Sequence, residues 1–508
     1  MSARRKVIVI GAGVGGLTAA MKLQHAGADV ELFEQLPGPG GRCGRIEVDS
    51  PHGPFRFDLG PTILLMPFVL EQAFASVGRK LSDVLELTRC DPHYRVHWRD
   101  GSRFTLWSDR QKMSEELERL EPGAALRYRE FLARGQAQHD IAFDRFVTKH
   151  FDGLFDFVTP SNVPKIFAAG ALQKLWSHVS RFFADERLRQ ALSFQTMYLG
   201  LSPWDAPAVF SLLPFTEAHH GIWFPKGGLH DVPLALERVC REEGVQFHYG
   251  QGVAKVLVEN GRAVGVTLED GRTVRADAVL CNADYAHATR RLLPEPIAQS
   301  RTAKVDRRRF TSSGLMFYWG LRGEAEGLLH HGVFFGRDFR TSFDDIFGRL
   351  RVPEDPSFYV NAPARTTKGF FAPEGHDALY VLVPVPHLGN PELDWKRETA
   401  VVREKVLARL EAEGYGNLRE RIVAERVVTP GDWQHALRLE RGSNFGLSQS
   451  FWQIGPFRPQ VTDPDVADLY WCGASIQPGT GVPTVMLSAG FAVDALLPRL
   501  GLAAKEAA

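Results

Sequence analysis

KVIVIGAGVGGLTAAMKLQHAGADVELFE, residues 6–34, is the stretch whose reading decides the fold. Val7-Ile8-Val9-Ile10 is short, apolar and β-branched, as a strand buried on both faces of a parallel sheet should be. A helical pattern follows through Leu17, Ala20 and Leu23 and ends near Gly27; a second strand from Asp29 to Phe33 closes on Glu34. This is a complete βαβ unit. Its GxGxxG glycines, Gly11, Gly13 and Gly16, allow a tight turn that lays backbone N–H groups and a helix N-terminus against a pyrophosphate. Glu34 then sits where an acid accepts hydrogen bonds from the adenosine ribose hydroxyls. The fingerprint alone does not separate NAD from FAD.

Working outward, Pro39-Gly40-Gly41-Arg42 brings a guanidinium with paired donors to the pyrophosphate. Asp58-Leu59-Gly60-Pro61 reads as a turn whose backbone, at Gly60, can pass close to a flavin ring. Near the far end, Gly473-Ala474 and Pro478-Gly479-Thr480-Gly481-Val482-Pro483 form a second glycine-rich loop before a helix expected to begin near Thr484. Such a loop suits a ribityl chain and the pyrimidine edge of a flavin, where negative charge develops on reduction. A nicotinamide enzyme has no use for it. FAD is therefore the expected cofactor.

The rest of the chain divides around these stretches. Residues 94–107 alternate about Asp100-Gly101 as a hairpin, and residues 112 to about 200 carry helical periodicity interrupted at Pro160 and Pro164. From Val245 strands return, with turns at Asn260-Gly261 and Asp270-Gly271. Strands and a charged helix near 393–413 fill the segment 310–455. The expected class is α/β, a discontinuous Rossmann-like FAD-binding domain (1–90, 226–300 and 459–508) with an interleaved mixed α+β substrate domain (91–225 and 301–458).

Composition excludes several classes. The 508 residues carry 60 Lys+Arg against 60 Asp+Glu, so nothing draws the chain generally to nucleic acid. Its 44% hydrophobic and 24% charged fractions are those of a globular protein. Cys43, Cys90, Cys240, Cys281 and Cys472 lie far apart, form no CxxC and leave one over, which points to no disulfide framework, no metal site and a reducing, cytoplasmic setting. Arg4-Arg5-Lys6 before the apolar Val7–Ala20 imitates a signal peptide, but the nucleotide fingerprint accounts for the same run. No apolar run is long enough to span a membrane.

These motifs, with DERLRQALSFQTMYLG (185–200), GIWFPKGGLHDVPLAL (221–236), FAPEGHDALYVLVPVPHL (371–388), RGSNFGLSQSFWQIGPFRP (441–459) and LYWCGASIQPGTGVPTVMLSAG (469–490), resemble the bacterial and fungal phytoene desaturases of the FAD-dependent amine-oxidase superfamily. The resemblance runs from end to end in the family's order. It implies a flavoenzyme that introduces double bonds into phytoene or a related acyclic carotenoid. An allylic carbon would give a hydride to flavin N5, the neighbouring carbon would lose a proton, and oxygen or a quinone would take the electrons. It implies peripheral attachment to a membrane surface, where such a substrate dissolves. Carried over residue by residue, Gly11, Gly13, Gly16, Glu34, Gly41, Arg42, Gly60, Gly473, Gly481 and Val482 should hold FAD.

For an acid or base the resemblance singles out Glu217, ahead of the GIWFP segment, where burial beside a polyene raises a carboxyl's pKa. A capping or salt-bridged glutamate is the competing reading. The family often carries a histidine three residues earlier; here that position is Pro214. His219 and His220 read as surface or core residues, and His93 and His97 lie on a strand-like stretch rather than as helical metal ligands. Residues 143–183 alternate aromatics with Lys149, His150, Lys165, Lys174 and Arg181, a pattern that fits a bilayer interface as well as a packed helix pair. Other chemistries share the motifs: a carotenoid isomerase, a hydroxycarotenoid 3,4-desaturase, a terminal-methyl oxidase or a retinol saturase; an amine oxidase shares the fold, but no aromatic cage beside the flavin is identifiable in the sequence. A non-redox prenyl-lipid carrier on the same fold is the alternative of a different class.

Overall fold

The computed structural model describes residues 5–505; Arg4 of the signal-like run lies outside them. Its centre is a five-stranded parallel sheet in the order Leu469–Trp471, Ala278–Cys281, Lys6–Ile10, Asp29–Glu34, Gln246–Tyr249. Lys6–Ile10 lies in the middle with Val7, Ile8 and Val9 fully buried, as an unbroken apolar β-branched run requires. Helix Val14–His25 covers one face and packs between Val482–Leu500 and Asp231–Glu243. One sheet thus draws strands from the beginning, middle and end of the chain.

A seven-stranded mixed sheet forms the second layer: Ile422–Val428, Ser313–Arg322, His376–Val385, Phe358–Asn361, His331–Phe334, Tyr94–His97, Arg103–Leu106. The run SGLMFYWGL is buried on both faces, and its alternation says against what. Leu315, Phe317, Trp319 and Leu321 pack under the helix Trp395–Ala412, against Val402, Val406, Leu407 and Leu410. Met316 and Tyr318 point the other way, into the main core. The Tyr318 hydroxyl donates to Leu59 O and that of Tyr380, on the neighbouring strand, to Gly60 O, both at 2.6 Å. The two layers are stitched together at this turn.

The hairpin at 94–106 turns at Gly101 (φ +82°), and a separate three-stranded antiparallel sheet turns at Asn260-Gly261 and at Gly271. The helical segment differs in detail from expectation. Helix Ala124–Ala142 ends in a π-turn, Phe143–Val147, and short helices follow at Leu154–Phe157, Val163–Ala168 and Leu175–Val179. Pro164 stands in the first turn of one of these, where its missing N–H costs nothing, so it starts a helix rather than interrupting one. The last helix likewise begins at Val482, two residues before Thr484.

Candidate functional site

One elongated cavity of about 590 Å3 runs between the layers. At one end it is lined by Gly11, Gly13, Glu34, Gly41, Arg42, Gly60, Gly473, Gly481 and Val482. Gly16 lies just behind this wall. A Cβ there would sit 2.0 Å from Gly11 O, so a side chain would force the helix off the strand. Gly60 is a glycine for a similar reason, since a Cβ would lie 2.5 Å from Arg42 O and push the two loops apart.

The polar character of this end fits a dinucleotide bearing a flavin. The helices Val14–His25 and Val482–Leu500 both start here from glycines, Gly13 and Gly481, that offer no capping side chain, and neither has an acid in its first turn. Their first N–H groups are therefore left for an anion or a flavin edge. Glu34 accepts from Ala12 N (2.7 Å) and Leu36 N (2.8 Å), which fixes the carboxylate while each oxygen keeps a further lone pair. Burial raises its pKa against the pull of these backbone bonds and of Arg438. Arg42 donates to Asn444 O (3.1 Å), and burial lowers its pKa against the attraction of Asp284. Ser312 Oγ and Gln449 Nε2, both on residues lining the cavity, are buried without any hydrogen-bond partner. Orphaned polar atoms of this kind mark where a polar ligand belongs.

Two residues here escaped the sequence reading. Asn282, at the end of the strand Ala278–Cys281, donates to Cys472 O (3.2 Å), and its amide fills the space a Cβ would take on Gly13, Gly15 and Gly473. Those glycines are glycines partly because of it. Arg458 is 1% exposed and faces no carboxylate; its guanidinium donates to the carbonyls of Leu447, Ser448, Gln453, Ala474 and Ile476 at 2.5–3.2 Å. It braces the C-terminal glycine-rich loop, and burial brings its pKa down to about 9.

Beyond Gly60 and Thr62 the walls become apolar and aromatic, with Phe143, Phe146, Phe151, Phe157, Tyr198 and Phe335 among them. Glu217 is not on the wall. It is 1% exposed, one layer behind Tyr198. Its Oε2 accepts from Tyr94 Oη (2.7 Å) and Gln195 Nε2 (3.2 Å), while Oε1 has no partner. Desolvation lifts its pKa to about 7, opposed by its hydroxyl and amide donors. Among the described residues it forms no salt bridge and caps no helix. His219 stacks on Phe215, and His220 packs against Phe68 and His139.

His93 and His97 pair with neighbouring side chains, His93 Nε2 with Ser108 Oγ (2.9 Å) and His97 Nδ1 with Glu413 (3.3 Å). Cys90, His330 and His331, which the sequence did not single out, bring potential ligand atoms within 4.8 Å of one another; Nδ1 of His330 pairs with Thr366 and Nδ1 of His331 with Tyr359, while Nε2 of both is buried without a hydrogen-bond partner. Among the described residues no helix is long and apolar enough to cross a membrane.

Comparison with known proteins agrees with this picture. Residues 14–497 match the family described as flavin containing amine oxidoreductase. The chain is 54% identical over 495 residues to the zeta-carotene-forming phytoene desaturase of Myxococcus xanthus, covering 97% of this chain and 94% of that protein. It is 36% identical to the phytoene desaturase of Neurospora crassa, over 97% and 84% of the two chains. Among solved structures, an oxidoreductase from Methanosarcina mazei shares the fold with a TM-score of 0.62 at 19% identity, over 96% of this chain and 99% of that one.

Proposed function

Because this chain belongs to the flavin-containing amine oxidoreductases, and within them to the carotenoid desaturases, we infer that it is an FAD-dependent oxidoreductase that introduces double bonds into phytoene or a related acyclic polyene. One observation carries the reading beyond the likeness: a single cavity joins a polar end built for a dinucleotide to a long apolar end. When bound, FAD supplies a two-electron hydride acceptor, regenerated in this reading by oxygen or a quinone.

The chain's own residues do the rest. Gly11, Gly13, Gly16 and Arg42 would take the pyrophosphate, Glu34 the adenosine ribose, and Gly41, Gly60, Gly473, Gly481 and Val482 the flavin and its ribityl chain. In this assignment residues 1–90, 226–300 and 459–508 make up the FAD-binding domain, and 91–225 with 301–458 hold the substrate. A polyene offers no hydrogen-bonding handle, so it is bound by excluded water and aligned by the shape of an aromatic channel. Glu217, behind that channel, is the acidic residue assigned to the chemistry.

The same reading places the enzyme on a membrane surface in the cytoplasm. Leu154, Phe155, Val158, Phe167 and Leu172 are exposed, Phe155 by 93%, on the short helices and turns whose inward side chains line the apolar end of the cavity. Phe157, in the same helix as Phe155, packs against Gly455, near the exposed Trp452. Lys174, Arg307 and Arg309 stand beside that tryptophan. Exposed apolar groups flanked by cations suit an anionic bilayer interface.

The test is incubation of the flavin-loaded protein with phytoene in liposomes, followed by lipid extraction and visible absorption. New structured bands are expected, and their wavelengths count the conjugated bonds added. An unchanged spectrum with phytoene and with partly desaturated carotenoids, from protein that holds flavin, would overturn the reading.

A further inference from the structure

Removal of a hydride from an allylic carbon leaves positive charge on the polyene, and an apolar cavity is a poor place for it. The relevant question is which group of this chain meets that charge. Four side chains gather at one point behind the wall: Tyr94 from the strand Tyr94–His97, Gln195 and Tyr198 from the turn Phe194–Leu199, and Glu217 from the helix Leu212–His220. Tyr198 is the member that lines the cavity. Its ring is partly exposed there, whereas its hydroxyl oxygen is fully buried. Part of the ring therefore meets the cavity, while the hydroxyl is turned into the protein, on the side of Glu217. That hydroxyl and Glu217 Oε1 are each without a completed hydrogen bond, yet lie close enough for each to shift the other's ionisation.

We propose that Tyr198 and Glu217 form an electrostatic pair that stabilises the cation developing on the polyene, the Tyr198 ring touching the substrate and the Glu217 carboxylate acting through it. This deepens the desaturase reading and rests on it. In the step concerned, the allylic C–H bond breaks with both electrons leaving as hydride to the flavin, so the polyene is oxidised by two electrons and the flavin reduced by two. The carbon left behind carries one positive charge, later cancelled when a C–H bond on its neighbour breaks, its electron pair forming the new double bond and its proton passing to water. The negative face of an aromatic ring attracts such a charge, and the attraction is greatest where water is excluded. A carboxylate behind the ring adds its own negative field to that of the ring, and little water is present to screen it. Tyr198 is thus a catalytic residue and Glu217 a positioning one.

The burial of Glu217 makes it switchable. The groups facing it are Tyr94, Gln195 and Tyr198, with Tyr128 from the helix Ala124–Ala142; His219 and His220 follow on its own helix. Burial and this carboxyl hold Tyr94, Tyr128 and Tyr198 above their ordinary values, so all three stay neutral. Among these four, Glu217 is the one that changes charge near neutral pH.

The experiment has two arms on the flavin-loaded protein. The first measures binding of an acyclic prenyl ammonium ion and of its uncharged hydrocarbon isostere, by perturbation of the flavin spectrum. Wild type should prefer the cation, more strongly at pH 8 than at pH 6; E217Q should lose the preference and its pH dependence, and Y198L should weaken it about 30-fold. Y198F, which keeps the ring, should lose only a few-fold. The second arm follows double-bond formation against pH. The rate should rise through about pH 7 in wild type and be flat in E217Q. Y94F, which removes a donor to the carboxylate but nothing from the wall, should displace the inflection upward.

Equal binding of cation and isostere by wild type, or a rate profile that E217Q leaves unchanged, would overturn the pair. A purely structural role would lower flavin content and thermal stability of the variants without changing charge preference. A cation preference in a protein that desaturates no carotenoid would instead sink the function and leave the electrostatic pair standing.

Discussion

The nucleotide end and the polyene end of the same cavity are built on opposite plans. At the first, the groups on offer are backbone. Gly11, Gly13 and Gly16 lie within six residues, and the two uncapped helix starts face the same space. At the second, the groups proposed to act are side chains drawn from positions 94, 195, 198 and 217, with a buried carboxyl that pairs with no cation among the described residues. A ligand with a formal charge and a fixed shape is held by a local loop. A ligand with neither needs a surface assembled from everywhere.

If that contrast is right, the nucleotide end should fail all at once. In G16A the new methyl carbon would have to occupy space 2.0 Å from Gly11 O, where no real Cβ sits. The helix must move off the sheet, and the N–H groups move with it. Purified G16A should be colourless, without bound flavin, and should melt well below wild type. Absorption at flavin wavelengths and a thermal scan check this; a yellow G16A would break the comparison.

Arg458 tests a hybrid of the two plans, a distant side chain that braces a backbone loop. Replacing it by methionine keeps much of the volume but strips donors from five buried carbonyls. Each orphaned group costs about 1 kcal/mol or more, so R458M should lose roughly 5 kcal/mol or more. R458K keeps the charge with three donors in place of five and should fall between. Denaturant titration of the two variants measures both. A loss under about 2 kcal/mol in R458M would mean that water replaces the guanidinium.

The difference between the ends also explains what was legible in the sequence. The βαβ unit, the hairpin at 94–106 and the buried strand 313–322 follow from period and turn chemistry within one window, and the glycine motif carries its reason in its own spacing. The return of the chain to the first sheet at 246–249, 278–281 and 469–471 was visible because those runs are again short and apolar or followed by glycine. Pro164 misled because proline breaks a helix interior but favours a first turn, and periodicity in such short helices does not tell the two apart. Asn282 and Arg458 gave no signal: an asparagine after a strand and one arginine among 60 basic residues look ordinary until the fold puts glycines and carbonyls around them. Glu217 was reachable only through resemblance, and its partners Tyr94 and Gln195, 123 and 22 residues away, were not reachable at all.

The smallest effect is the one most particular to the polyene end, because it comes from ionisation alone. Glu217 in the folded chain titrates at about 7, against an ordinary value of 4.5. A raised carboxyl stabilises the fold fully below the unfolded pKa, where both states hold the proton. As pH climbs from about 4.5 toward 7 the unfolded chain releases its proton and the folded chain does not, so stability drains away across that window and then levels off. The difference is worth about 3 kcal/mol. Asp58, buried under Leu229 N and His230 N and likewise raised to about 7, adds a slope of the same sign. E217Q removes one of the two titrations while keeping an oxygen for Tyr94. It should therefore be close to wild type at pH 4.5 and gain up to about 3 kcal/mol by pH 8. Urea unfolding at a series of pH values decides the matter. Parallel curves for the two proteins would show that the carboxyl is ionised in the fold at low pH, held there by water that reaches it from the cavity, and the polyene end would then be wetter than its walls suggest.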